Sequence, residues 1–109
     1  MNIKLFSIVL GFGSFLFPAE GLVSMTWNVD GAVREALVYI PDEAKKSARP
    51  VVFVFHGHFG TSKWAADSFG IEKLWPEAIV VYMQGLKTPG KLTDPEGKGN
   101  GWQGTIGEQ

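Results

Sequence analysis

The chain has 109 residues, net charge −1 and no cysteine. It is 45% hydrophobic and 19% charged, which is a globular composition and not a disordered one. Lys+Arg 10 against Asp+Glu 11 argues against nucleic acid as a partner, and zero cysteines exclude disulfides, iron–sulfur ligation and thiolate zinc.

Met1 to Lys4 is a short start with one positive side chain. Leu5 to Phe17 (LFSIVLGFGSFLF) is an uncharged apolar run, and Pro18 breaks it before Ala19-Glu20-Gly21. This three-part layout predicts a secretory signal over residues 1–21, cleaved after Gly21. The run is short for a membrane span, and no stable span is expected after cleavage. An uncleaved anchor or a buried strand are the alternatives. The expected localisation is secreted or periplasmic, with residues 22–109 as the mature domain.

Met25 to Val29 favours strand, and Asp30-Gly31 is a type I′ turn signal. Ala32 to Ile40 reads as the returning strand of a hairpin, with Leu37 and Tyr39 on one face and Val38 and Ile40 on the other. Pro41 ends it. Asp42 to Arg49 (DEAKKSAR) reads as a solvated loop.

Pro50 to Phe55 (PVVFVF) is apolar without alternation, the pattern of a strand buried on both faces. His56-Gly57-His58-Phe59-Gly60 follows. Thr61 and Ser62 are capping types, Lys63 to Phe69 fits a short helix that Gly70 can close, and Ile71 to Trp75 can add a turn. Ala78 to Met83 (AIVVYM) is a second continuous apolar strand. Together these elements predict a βαβ unit with parallel strands, hence an α/β fold.

Gly85 to Gln109 carries seven glycines and no apolar period. It reads as a cleft-lining loop or a disordered tail, and Trp102 favours the cleft.

The HGHFG segment lies at the carboxyl end of a strand and before a helix, where open α/β sheets bind ligands. Its glycines let backbone N–H groups approach a developing negative charge. A purely structural strand-to-helix turn is the plainer alternative. His56 and His58 are two apart and could share a metal, but they supply only two ligands where zinc needs three or four. No metal and no cofactor is expected.

VVFVFHGHFG, SKWAADSFG, AIVVYMQG and NGWQG, in that order, resemble the N-terminal part of secreted α/β-hydrolase esterases. The likeness is to the polyhydroxybutyrate depolymerase and feruloyl or acetylxylan esterase group, over roughly residues 26–104. Ala36-Leu37-Val38-Tyr39-Ile40-Pro41 matches that group's "LVYVP" hairpin end. Val80-Val81-Tyr82-Met83-Gln84-Gly85 matches its "VVYPQG" strand, with Met83 in place of proline. The resemblance implies an oxyanion hole in which the backbone N–H of His58 is a donor. His56, Gly57 and Gly60 would support that loop, with the His56 ring bonded within it. Gln84 and Trp102 would line the cleft. An ester substrate, of a polymer or of the plant cell wall, is implied.

The nucleophile elbow G-x-S-x-G is absent. Ser68, in Ala66-Asp67-Ser68-Phe69-Gly70, falls late in a predicted helix with no strand before it. No histidine follows any candidate serine, so no triad is expected within this chain. Residues 22–109 are therefore expected to be a partial hydrolase domain, truncated before the elbow. The competing expectation is a small non-catalytic secreted module that binds carbohydrate or protein, with Trp27, Trp64, Trp75 and Trp102 free to pack or to bind sugar.

Overall fold

The computed structural model describes residues 21–106. The predicted signal falls almost wholly outside them, as do the last three residues.

The first two strands, β1 (Val23–Val29) and β2 (Ala32–Tyr39), form the predicted antiparallel hairpin, with Val29 opposite Ala32. Asp30 and Gly31 both take positive φ, 51° and 84°, as a type I′ turn requires. Asn28 Oδ1 accepts from Gly31 N–H at 2.9 Å and fixes the turn. The segment expected to be a plain loop contains a 3-10 turn, Asp42–Lys45. Its backbone closes locally, with Ala44 N–H donating to the Pro41 carbonyl.

Strand β3 (Val51–Phe55) leads through the HGHFG loop to helix α1 (Ser62–Phe69). Thr61 caps α1, its Oγ1 accepting from Trp64 N–H at 3.0 Å. Gly70 closes it in the left-handed conformation, φ 52°. A single-turn helix α2 (Ile71–Leu74) and strand β4 (Ile79–Gln84) follow. β3 and β4 are parallel, in register from Val51–Ile79 to Phe55–Met83. The sheet order is β1-β2-β4-β3, so the sheet is mixed and the domain is α/β.

One sheet face packs on the helices. Val80 and Tyr82 of β4 meet Ala65 and Ala66 of α1, and Leu37, Tyr39, Val52, Val54 and Ile71 close around them. The other face holds Ala36, Val38 and Val81, flanked by Met25, Trp27, Ile79 and Met83. The two faces of β2 divide as its alternation predicts.

β4 is the continuous apolar strand buried on both sides, because it lies between β2 and β3. β3 has the same kind of sequence but not the same burial. Val51, Phe53 and Phe55 are 50%, 59% and 56% exposed. The expectation of a doubly buried β3 is corrected: β3 is an edge strand, and the described helices cover only its Val52–Val54 face.

The described part of the glycine-rich segment, residues 85–106, contains short strands and lines a cleft. Two short strands, β5 (Leu86–Lys87) and β6 (Asn100–Gly101), pair antiparallel, and Gly90 bridges to Asp94. Among the described residues no helix is long and apolar enough to cross a membrane.

Candidate functional site

The HGHFG loop leaves the carboxyl end of β3 and is clasped by the segment that follows β4. His56 is 3% exposed. Its Nε2 accepts from Gly85 N–H at 2.9 Å and lies 3.3 Å from Gln84 Nε2. A backbone N–H pointing at Nε2 leaves the ring hydrogen on Nδ1, which donates to the Gly57 carbonyl at 2.7 Å. The ring thus ties the ends of β3 and β4 together.

Gln84 is a brace. Its Oε1 accepts from Ser62 N–H at 2.9 Å, one of the unpaired donors in the first turn of α1, and its Nε2 donates to the Gly85 carbonyl at 3.0 Å. Trp102 donates its indole N–H to the His56 carbonyl at 2.7 Å and sets its ring against His56 and Phe55. Trp102 also lines an open cleft of about 440 Å³ with Pro89, Lys91, Pro95 and Gly104. Gln84 is not among the residues that line it.

The His58 ring is placed by Asp94 and by the edge-on ring of Phe59. Its Nε2 lies 3.0 Å from Asp94 Oδ2. Among the described residues no acceptor takes the His58 backbone N–H. Phe59 follows with φ 63°, a left-handed conformation uncommon for a residue with a side chain. Three contacts hold it there. Its N–H donates to the Asn100 carbonyl at 2.8 Å, its ring packs edge-on against His58, and it covers Gly99. Gly60 N–H donates to the Gly57 carbonyl at 2.9 Å and closes the turn.

Asp94 is a buried hub. Gly99 N–H donates to Oδ2 at 2.8 Å and Lys98 N–H to Oδ1 at 3.0 Å. These two N–H groups, Gly99 first, hold its carboxyl down at about 2, with a smaller contribution from His58. Asp94 is therefore an acceptor at neutral pH, and the His58 ring hydrogen sits on Nε2.

The glycines of this segment make room for the loop. A Cβ on Gly101 would come 2.5 Å from His58 Nδ1, and one on Gly99 would enter the Phe59 ring.

The structure brings His56, Gly57, His58, Gly60, Gln84 and Trp102 into one region. It does not bring the two imidazoles onto a shared ligand position, since one ring faces Gly85 and the other Asp94. Among the described residues no group of three His, Asp or Glu could hold a metal. Ser68 is exposed near the end of α1. The residues missed from sequence are Asp94 and Asn100. Asp94 carries a turn signal in Asp94-Pro95-Glu96-Gly97, but no spacing links it to His58.

Comparison with protein-family models, with curated proteins and with solved structures finds no match.

Proposed function

We propose that this chain carries the oxyanion-loop portion of a secreted serine carboxylic-ester hydrolase, of the polyester depolymerase or feruloyl/acetylxylan esterase type. One observation carries the reading. A strand-to-helix turn at the end of a parallel strand pair presents a His58 N–H that no described group accepts. His58 is exposed, so this N–H stands open to solvent at the strand-to-helix turn and can meet an incoming anionic acceptor.

On this reading a serine elsewhere in the same reading frame attacks the ester carbonyl. A histidine oriented by an acid takes its proton, and the tetrahedral oxyanion accepts from His58 N–H. The strand bearing that serine adds to the open edge of β3, and a further covering element packs on the face where Val51, Phe53 and Phe55 stand exposed. No cofactor is required for this chemistry. The chain's own part is to hold the donor, with His56, Gly57, Gly60 and Trp102 bracing the loop.

The test is to express the whole reading frame that contains these residues and assay short-chain nitrophenyl esters. Hydrolysis that a serine-directed organophosphate abolishes is the expected result. A frame that continues for roughly 150 residues past Gln109 without G-x-S-x-G overturns the reading. So does a cooperative thermal transition of residues 22–109 alone with no hydrolysis by the whole frame, which favours the binding module.

A further inference from the structure

The His58 imidazole has no part in the proposed chemistry, yet it is one of the most constrained groups at the site. Its side chain is 27% exposed, and the Asp94 side chain it meets is 5% exposed. Gly90 and Gly101 lie against its ring, so the ring fills a slot between two backbone segments. Asp94 is itself fixed by two backbone N–H groups, and a carboxylate held that way is a rigid anchor for a third donor. A ring pinned at Nε2 leaves its own backbone little freedom. The next residue is in a left-handed conformation that its surroundings must maintain.

We propose that the His58–Asp94 hydrogen bond is a latch that orients the loop carrying the His58 amide, so that Asp94 is a positioning residue. The inference rests on the oxyanion reading for its consequence in catalysis, while the latch can be measured without it. Asp94 acts through the His58 ring and touches no reacting atom. The bond joins the β3 turn to the β5–β6 segment, as do Phe59 N–H to Asn100 O and Asn100 Nδ2 to Gly60 O. The latch is the charge-assisted member of that set, and such bonds are the stronger ones.

Two variants separate the roles of the ring. His58→Ala keeps the backbone N–H and removes the donor. His58→Gln keeps the N–H and supplies an amide donor that can reach Asp94 where Nε2 did. Amide hydrogen exchange is followed by NMR on the full chain. Exchange at Phe59 N–H should quicken about tenfold in His58→Ala and in Asp94→Ala, and return toward the wild-type rate in His58→Gln. In the whole-frame enzyme, His58→Ala should lower kcat roughly ten- to a hundredfold with KM little changed, and His58→Gln should recover most of that loss.

Unchanged Phe59 exchange in His58→Ala overturns the latch. If His58→Gln protects Phe59 while kcat stays as low as in His58→Ala, the imidazole does chemistry itself and the positioning role falls. If exchange responds but the whole frame cleaves no ester, the latch stands and the esterase reading fails. Should Asp94→Ala not fold, the two His58 variants decide alone.

Discussion

The indole N–H of Trp102 donates to the carbonyl of His56 at 2.7 Å, across 46 residues of chain. That bond closes the glycine-rich segment over the end of β3. Trp102→Phe keeps a ring in place and removes the donor. It should cost about 1 kcal/mol, as a lost hydrogen bond with a carbonyl left short of a partner does. Thermal unfolding checks it. An unchanged midpoint means that the ring packing alone closes the segment.

The packing of glycine against the loop makes a second prediction. Gly101→Ala sets a methyl group against His58 Nδ1 and should destabilise by about 1–3 kcal/mol. Gly57→Ala meets nothing within 4 Å and should change stability by less than about 0.5 kcal/mol. Paired denaturant titrations decide. Equal effects of the two would contradict the observed close approach.

Tyr82 ties α2 to the sheet. It is fully buried, donates to the Glu72 carboxylate and accepts from Ile71 N–H at 2.8 Å. Tyr82→Phe leaves a buried carboxylate and an N–H without that partner and should cost about 2–3 kcal/mol. Burial, and then the bond to Glu72, push the Tyr82 hydroxyl up from 10.0 to about 12. A raised phenol pKa means that folding favours the protonated form. The associated stability is complete below pH 10 and is lost as pH rises toward about 12. Alkaline unfolding should show this limb in the wild type and not in Tyr82→Phe.

Asp94 controls the opposite end of the pH scale. Its carboxyl is lowered from 3.8 to about 2, so the unfolded chain takes up the proton first as pH falls. Stability from this group is present above about pH 4 and is lost between there and about pH 2. Acid titration followed by Trp fluorescence should show the loss, and Asp94→Asn should remove that part of the pH dependence. Identical acid limbs in the two proteins would exclude the Asp94 hub as the source.

On the proposed esterase reading, His58 carries a prediction for hydrolysis by the whole reading frame. His58→Pro deletes the N–H and should reduce kcat by about 100- to 1,000-fold, the loss typical of one oxyanion donor. His58→Ala retains the N–H and should retain more activity than His58→Pro. Equal, full activity in both would remove His58 from the oxyanion role.

The hairpin, the cap at Thr61, the closure at Gly70 and the parallel β3–β4 pair are legible from residue order. Each depends on local chemistry: a turn that tolerates positive φ, a hydroxyl that accepts an N–H, a run of β-branched and aromatic side chains. The HGHFG loop is legible for the same reason. The burial of β3 is not, because β3 and β4 have similar sequences and only their places in the sheet differ. Gly85 to Trp102 also reads poorly, since its glycines respond to neighbours distant in sequence. Gly99 yields to Phe59, and Gly101 to His58.

The sequence by itself determined the α/β order of elements and the position of the HGHFG loop between β3 and α1. Only the tertiary structure decided that His58 meets Asp94, that Gly85 and Trp102 bind His56, and that β3 lies at the edge. Local patterns act within a few residues through backbone geometry and side-chain period. These pairings join residues 29, 36 and 46 apart, and arise only once the sheet has set β3 beside β4 and folded the following segment back across their ends.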